Sequence, residues 1–224
     1  MNDAATHPEI TTWPGNASLI AAPPWTLRGQ AVVLITVARR RAALDPGEGR
    51  FGTVAFIDYA ESDVGPYREL LRARRWVRAG GRIGPNVDPI WVTSEASAVS
   101  GRANWGLSKL VATIDRDPAA AGGAETWIAR DAHGPLGTLR HRPVGRALGV
   151  AKPGWLGRMQ TLAAGQLFHT PITVRGTVRR TQIDTLSLDP ERVIDLGRHR
   201  VVAAFAITDG LMTFHAADVQ PAPR

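Results

Sequence analysis

The sequence predicts a mainly β chain, an antiparallel sheet that closes or folds on itself, with a few short helices. Three observations predict it. Apolar runs rich in Val and Ile recur, and they are too short for comfortable helices. One long segment alternates strictly, with Ile172, Val174, Gly176 and Val178 set against Thr173, Arg175, Thr177 and Arg179, which is the period of a strand with one apolar face. Gly, Pro and Asp punctuate the second half at short intervals, as turns between strands require.

The elements follow in order. Residues 1–22 form a polar lead-in, and 23–224 are expected to make one domain, since 224 residues at 44% hydrophobic content can build one core and no linker divides them. Pro23-Pro24-Trp25 stops any helix and opens an extended stretch. Gln30–Ala38 reads as a buried strand, Leu44–Arg50 with its Asp-Pro-Gly as a turn, and Phe51–Tyr59 as a second strand. A polar loop carrying Glu61 follows, and Tyr67–Arg74 is expected to form a helical turn or two behind Pro66. Ile90–Thr93 is another strand. Ser94 is placed to cap a helix from Glu95 to about Asn104, which Gly106 ends before Leu107–Val111 leads away. Ala119–Gly123 is a small loop. Beyond it, Thr126–Ala129, Gly137–Leu139, Ile172–Ile183, Val201–Ile207 and Leu211–His215 are strands. Asp209-Gly210 is the strongest hairpin signal in the chain.

Composition narrows the function classes. There is no cysteine, so disulfides and thiolate chemistry are excluded and a cytoplasmic location is the default. No apolar run reaches the length of a membrane span, and the N-terminus lacks the pattern of a signal peptide. The net charge of +7 and a pI near 11.0 come almost wholly from arginine. No helix-turn-helix, zinc or RNA-recognition signature accompanies the basic clusters, Arg39–Arg41 and Arg72–Arg82. They therefore read as solvated faces rather than as a nucleic-acid site. An arginine-rich rim would also steer a carboxylate substrate. The six histidines show no metal-ligand spacing; His141 and His199 sit among arginines and are expected at the surface. No metal and no cofactor are expected. A homo-oligomer is left open.

One stretch carries chemistry. In Ser94–Lys109, Gly101-Arg102 precedes Lys109, one of only two lysines in the chain, and Leu110-Val111 follow it. A lysine desolvated by apolar neighbours holds its proton less firmly, and its neutral amine attacks carbonyls to form a Schiff base. The other lysine, Lys152 in Ala-Lys-Pro-Gly, reads as a loop residue. Arg102 reads as a structural ion-pair partner. Trp91 and Trp105 read as core residues that could also line a site and exclude water.

These motifs resemble the acetoacetate decarboxylase superfamily. Gly101-Arg102 through Lys109 is similar to the family segment that ends in the Schiff-base lysine. Tyr59-Ala60-Glu61-Ser62 is similar to its glutamate loop, and Leu27-Arg28 to its early active-site arginine. The match runs from Pro23 to about Thr113. It is nearest to family members carrying Pro-Pro-Trp, Tyr-x-Glu-Ser-x-Val-Gly-Pro-Tyr and Gly-Arg-x-Asn-Trp-Gly. The resemblance implies a curved, partly closed antiparallel β-barrel whose interior pocket holds Lys109, Glu61 and Arg28. It implies a lyase acting on a β-keto acid or related small carbonyl or carboxylate compound. Lys109 and Glu61 would be catalytic; Arg28, Trp105 and Trp91 would bind substrate. The sequence departs from the family at Leu110 (a second lysine there), Ala103 (a glutamate) and Ser108 (a proline). These changes admit a second reading, a cyclase, dehydratase or aldol-type enzyme on a larger carbonyl compound with Glu61 as acid/base. A non-catalytic binding protein of the same fold is a third.

Overall fold

The structure, a computed structural model, describes residues 17–39, 49–79, 82–118, 123–150, 158–163 and 165–221; side chains are described for these except 74–79, 82–83, 150 and 158–162. Most of the Leu44–Arg50 turn, most of the Ala119–Gly123 loop and Lys152 lie outside the described residues.

Among the described residues, twelve strands form one curved, partly closed sheet. They are β1 (Trp25–Ala38), β2 (Phe51–Glu61), β3 (Tyr67–Ala79), β4 (Arg82–Val92), β5 (Lys109–Val111), β6 (Thr113–Asp117), β7 (Glu125–Asp131), β8 (Gly134–Val150), β9 (Arg158–Ala163), β10 (Gln166–Leu188), β11 (His199–Phe214) and β12 (Asp218–Pro221). The hydrogen-bonded order is β11-β1-β2-β3-β4-β9-β10-β8-β7-β6, and β10 also pairs with β11 and β12. Pairing is antiparallel except for β4 with β5 and β4 with β9. One helix, α1 (Glu95–Trp105), joins β4 to β5. Its predicted caps are present. The Ser94 hydroxyl accepts from the Ser97 N–H, and Gly106 adopts the left-handed φ of 60° while its N–H returns to the Arg102 carbonyl. No helix among the described residues is long and apolar enough to cross a membrane.

The sheet buries both faces, because neighbouring residues on one strand point to opposite sides. On the first face Trp25, Leu27, Ile57, Tyr59, Ile90 and Trp105 pack together. On the second, Val32, Leu34, Phe56, Trp91, Trp127 and Leu139 do so. This explains why several strands read as nearly continuous apolar runs rather than as alternating ones.

Four expectations are corrected. Tyr67–Arg74 is strand, not helix: it opens β3, paired along its length between β2 and β4. The charged, leucine-bearing segment Tyr67–Arg74 has a composition that suits a helix, and long-range pairing overrides that weak preference. Asp209-Gly210 is not a hairpin turn. It is a kink inside the single strand β11, where the register on β1 jumps from Gly29↔Gly210 to Ala31↔Ile207. Asp209 takes the left-handed φ of 53° there, and a Cβ on Gly210 would lie 2.8 Å from the Gly29 carbonyl oxygen. The turn chemistry serves a bulge that bends the sheet. His141 and His199 are buried, 2% and 3% exposed. Around His141, strand alternation sends Arg140 and Arg142 outward to Asp184 and the imidazole inward between Thr181 and Glu125. Arg72, expected on a solvated face, is likewise buried.

Candidate active site

Lys109 begins β5, which lies parallel to β4 with Lys109 beside Ile90, and β4 in turn pairs with β3 with Val92 opposite Glu69. Ile90 and Val92 belong to the first buried face, so the side chains of Lys109 and Glu69 enter the same apolar layer. There they meet. Lys109 Nζ lies 3.0 Å from Glu69 Oε2 and donates at 3.0 Å to Ser97 Oγ, on the first turn of α1. The two charged side chains are 4% and 5% exposed. The ring of Tyr67 lies beside the ammonium, its centroid 5.2 Å from Nζ, and stacks obliquely on Tyr59.

The Gly-Arg pair of α1 is fitted to this lysine. A Cβ on Gly101 would stand 2.7 Å from Lys109 Cδ and 2.9 Å from Cε, so the side chain passes over the helix where only glycine leaves room. Arg102 Nη2 donates to the Lys109 carbonyl, pinning β5 to the helix that carries Ser97. The Leu107 N–H closes the helix end onto the Gly101 carbonyl.

The electrostatics are those of a buried charge pair among phenols. Burial, and then the negative charge of Glu69, pushes both tyrosine hydroxyls well above their ordinary range; a hydrogen bond with Ser97 works weakly the other way at Tyr67. Both phenols therefore stay protonated; Tyr67 lies beside Lys109, while the Tyr59 hydroxyl points to Met212 Sδ at 4.0 Å.

Of the other predicted site residues, Arg28, Glu61 and Trp91 lie elsewhere. Arg28 and Glu61 are opposite each other on β1 and β2, with Arg28 Nε 3.5 Å from Glu61 Oε2, both largely exposed. Arg28 follows Leu27, which is buried in the first face, so the guanidinium leaves by the other side; a bulge at Ala60 turns Glu61 to meet it. The structure thus brings Arg28 to Glu61, and Lys109 to Glu69. Trp105 is in the same buried layer as Tyr59 and Tyr67, edge-on to Trp25 at 4.9 Å, with its N–H donated to the His215 carbonyl. Trp91 lies in the opposite layer. The carboxylates of the 58–63 segment have separate partners: Asp58 holds Arg68 and Arg116, and Asp63 accepts from the Thr26 N–H. Sequence reasoning missed Glu69, Ser97 and Tyr67. Once Tyr67–Arg74 is known to be a strand, Tyr67, Glu69 and Leu71 share one face against Arg68, Leu70 and Arg72, but its own residues read as helical.

No protein-family model matches the sequence, and no curated protein matches it. Solved structures do. The acetoacetate decarboxylase of Legionella pneumophila is similar with a TM-score of 0.72 at 16% identity, over 94% of this chain and 92% of that one. The fold is acetoacetate-decarboxylase-like. An acetoacetate decarboxylase-like enzyme from Sphingomonas wittichii RW1 is similar with a TM-score of 0.69 at 16% identity, covering 94% of this chain and 98% of that one. The enduracididine biosynthesis enzyme MppR, solved with the condensation product of pyruvate and imidazole 4-carboxaldehyde, is similar with a TM-score of 0.66 at 15% identity, over 92% of each chain. The acetoacetate decarboxylase fold therefore carries more than one reaction among these neighbours, and at such identities the likeness speaks for fold, not chemistry.

Proposed function

We propose that this chain is an enzyme of the acetoacetate decarboxylase type, a lyase that forms a Schiff base between Lys109 and a β-keto acid or related keto acid. The observation that carries the reading is the enclosed Lys109–Glu69–Ser97 contact, with Nζ at 3.0 Å from each oxygen and the lysine 3% exposed. Glu69 accepts one ammonium proton across that hydrogen bond. In an apolar layer this exchanges two charges for two neutral groups, a conversion that burial favours. The free amine adds to the substrate ketone, and the adduct loses water to give the iminium. The iminium draws in the electrons of the bond to the carboxylate, carbon dioxide departs, and an enamine remains. The proton that Glu69 took from Lys109 leaves with the hydroxyl when the adduct loses water, so Glu69 takes a second proton from solvent and delivers it to the enamine carbon; water then hydrolyses the product iminium to ketone and amine. In this reading Arg28 with Glu61 forms a charged rim that steers carboxylates, and Trp105 closes the layer against water.

A second reading shares every step to the enamine and then adds that carbon to an aldehyde. The complex of MppR with a condensation product favours keeping it, because the same fold accommodates that chemistry.

The experiment is borohydride trapping. The protein is incubated with small β-keto acids and ketones, reduced and weighed intact, beside Lys109→Ala and Lys152→Ala. With only two lysines in the chain, assignment is direct. A reduced adduct that needs Lys109 and not Lys152 is expected. No Lys109-dependent adduct across the panel would sink the covalent reading and favour a binding role.

A further inference from the structure

Lys109 Nζ donates to two oxygens, Glu69 Oε2 and Ser97 Oγ, each at 3.0 Å. The reaction described above uses only the first. Ser97 is 0% exposed, sits in the first turn of α1, and its hydroxyl also hydrogen-bonds Tyr67. A serine inside a helix ordinarily points to solvent or returns its hydroxyl to a carbonyl one turn back. Ser97 instead sets its oxygen against the buried ammonium.

Imine formation has a use for a second acceptor. An ammonium carries three protons, and the iminium it becomes carries one; the other two leave in the water made from the ketone oxygen. The first passes to Glu69, which frees the amine and later protonates the departing hydroxyl. The second must leave nitrogen after attack, when the adduct holds a protonated nitrogen beside an alkoxide. Direct transfer between those two atoms, which share one carbon, bends the hydrogen bond far from linear. Solvent has little share in it, since Lys109 and Glu69 are only 3% and 4% exposed. Glu69 is protonated at that moment and is a poor base. The N–H donated to Ser97 survives the first transfer, because that transfer runs along the separate hydrogen bond to Glu69. Attack turns this N–H into an acid whose acceptor is already in place.

We propose that Ser97 is a catalytic residue, a proton shuttle that takes the second proton from Lys109 Nζ and passes its own to the alkoxide. The Nζ–H and Oγ–H bonds break as a new Oγ–H bond and the adduct O–H bond form. Serine is restored, and the adduct becomes a neutral carbinolamine. Glu69 then protonates its hydroxyl, the C–O bond breaks, water departs, and the nitrogen lone pair closes the C=N bond. The proposal rests on the Schiff-base reading of Lys109 and gives each oxygen around Nζ one of the two departing protons.

The test compares two reactions of Lys109, both read by peptide mass. Acetone with excess cyanoborohydride reports iminium formation. Methyl iodide reports the free amine alone, since methylation involves no ketone oxygen. Ser97→Ala is set beside Ser100→Ala, an equally buried serine of α1 whose hydroxyl donates to the Leu19 carbonyl instead. Alanine favours helix, and thermal unfolding checks that both variants fold. Ser97→Ala should lower the maximal trapping rate by about a hundredfold, the scale of a general acid–base contribution, and leave the half-saturating acetone concentration unchanged. Its methylation should be as fast as in the wild type or faster, because an ammonium that loses an acceptor holds its proton less firmly. Ser100→Ala should match the wild type in both reactions. Trapping by Ser97→Ala at the wild-type rate overturns the shuttle. So does a joint loss of trapping and methylation, which would make Ser97 a positioning group, and so does equal slowing in Ser100→Ala, which would trace the effect to helix packing. In the wild type, deuterium oxide should slow trapping more than methylation; equal effects overturn the shuttle without any variant. No wild-type Lys109 adduct with acetone or any keto acid overturns the Schiff-base reading itself, and this inference with it.

Discussion

Replacing Gly101 by alanine should disable Lys109 without unfolding the protein. The added methyl would lie 2.7 Å from Lys109 Cδ, 2.9 Å from Cε and 3.5 Å from Cγ. Carbon atoms rest at about 3.5–4.0 Å, so the lysine side chain must move by roughly 1 Å. Its amine is tied at 3.0 Å to both Glu69 and Ser97, and a shift of that size lengthens or breaks one of those bonds. A misplacement near 1 Å costs about 10²-fold where geometry governs the reaction. Stability changes far less. Overpacking costs about 1–3 kcal/mol, while alanine in place of glycine inside a helix returns about 1 kcal/mol. The net loss of about 0–2 kcal/mol lowers the unfolding temperature by no more than about 8 °C in a chain of this size. The assay pairs the rate of borohydride-trapped Lys109 adduct with thermal unfolding. A Gly101→Ala protein that traps as fast as the wild type would refute the claim that this glycine positions the lysine. One that fails to fold would show the contact to be stiffer than reasoned.

Removing the negative partner should be costly: Glu69→Gln leaves a buried ammonium without its counter-charge and should destabilise by about 3–5 kcal/mol in denaturant unfolding, while a loss below about 1 kcal/mol would mean that Lys109 simply discharges. Tyr59 and Tyr67 are the chain's two tyrosines, so phenolate absorbance reads them alone. Their raised pKa values give stability that is complete below the ordinary phenol range near 10 and lost as pH climbs through the folded values. Phenolate should therefore appear only together with unfolding, and a native titration near 10 would contradict it. Burial alone would raise the Glu125 carboxyl, but hydrogen bonds from His141 and Arg116, with their charges, bring it down to about 2. A lowered value gives stability that is full above the usual glutamate range and lost as pH falls toward 2, on the order of 3 kcal/mol here. Glu125→Gln should flatten the fall in urea midpoint between neutral pH and about pH 3.

Much of the first half of the fold was legible because its signals are local. Ser94 caps α1 and Gly106 closes it as their types demand, and the Val/Ile runs of β1 and β2 are strands. The candidate site was legible only where a motif marked it, at Gly101, Arg102 and Lys109. Glu69 was hidden by its own neighbours. Arg68, Leu70, Leu71 and Arg72 favour a helix when read alone, and only pairing with β2 and β4 makes the segment a strand that aims Glu69 inward. Asp209 misled in the opposite way, because a left-handed residue before glycine serves a bulge as readily as a hairpin, and which one forms depends on strands far away in sequence.

Leu110 shows how far the local electrostatics can be argued from topology. A lysine at this position would be adjacent to Lys109 in sequence, and from sequence alone its loss leaves apolar burial as the sole influence on the Lys109 amine. On a strand, however, consecutive side chains leave by opposite faces. Lys109 is 3% exposed and Leu110 is 42% exposed, so residue 110 points away from Glu69, Ser97 and Tyr67. The group that answers Lys109 here is a carboxylate at hydrogen-bond distance rather than a cation across the strand. In the proposed Schiff-base reading Glu69 takes a proton from Lys109 before attack, a task that no cation at residue 110 could perform. In the proposed reading the arrangement ties nucleophile formation to one hydrogen bond. That makes the chemistry depend on the 3.0 Å spacing between Lys109 and Glu69, and hence on the helix glycine that sets the path of the lysine chain.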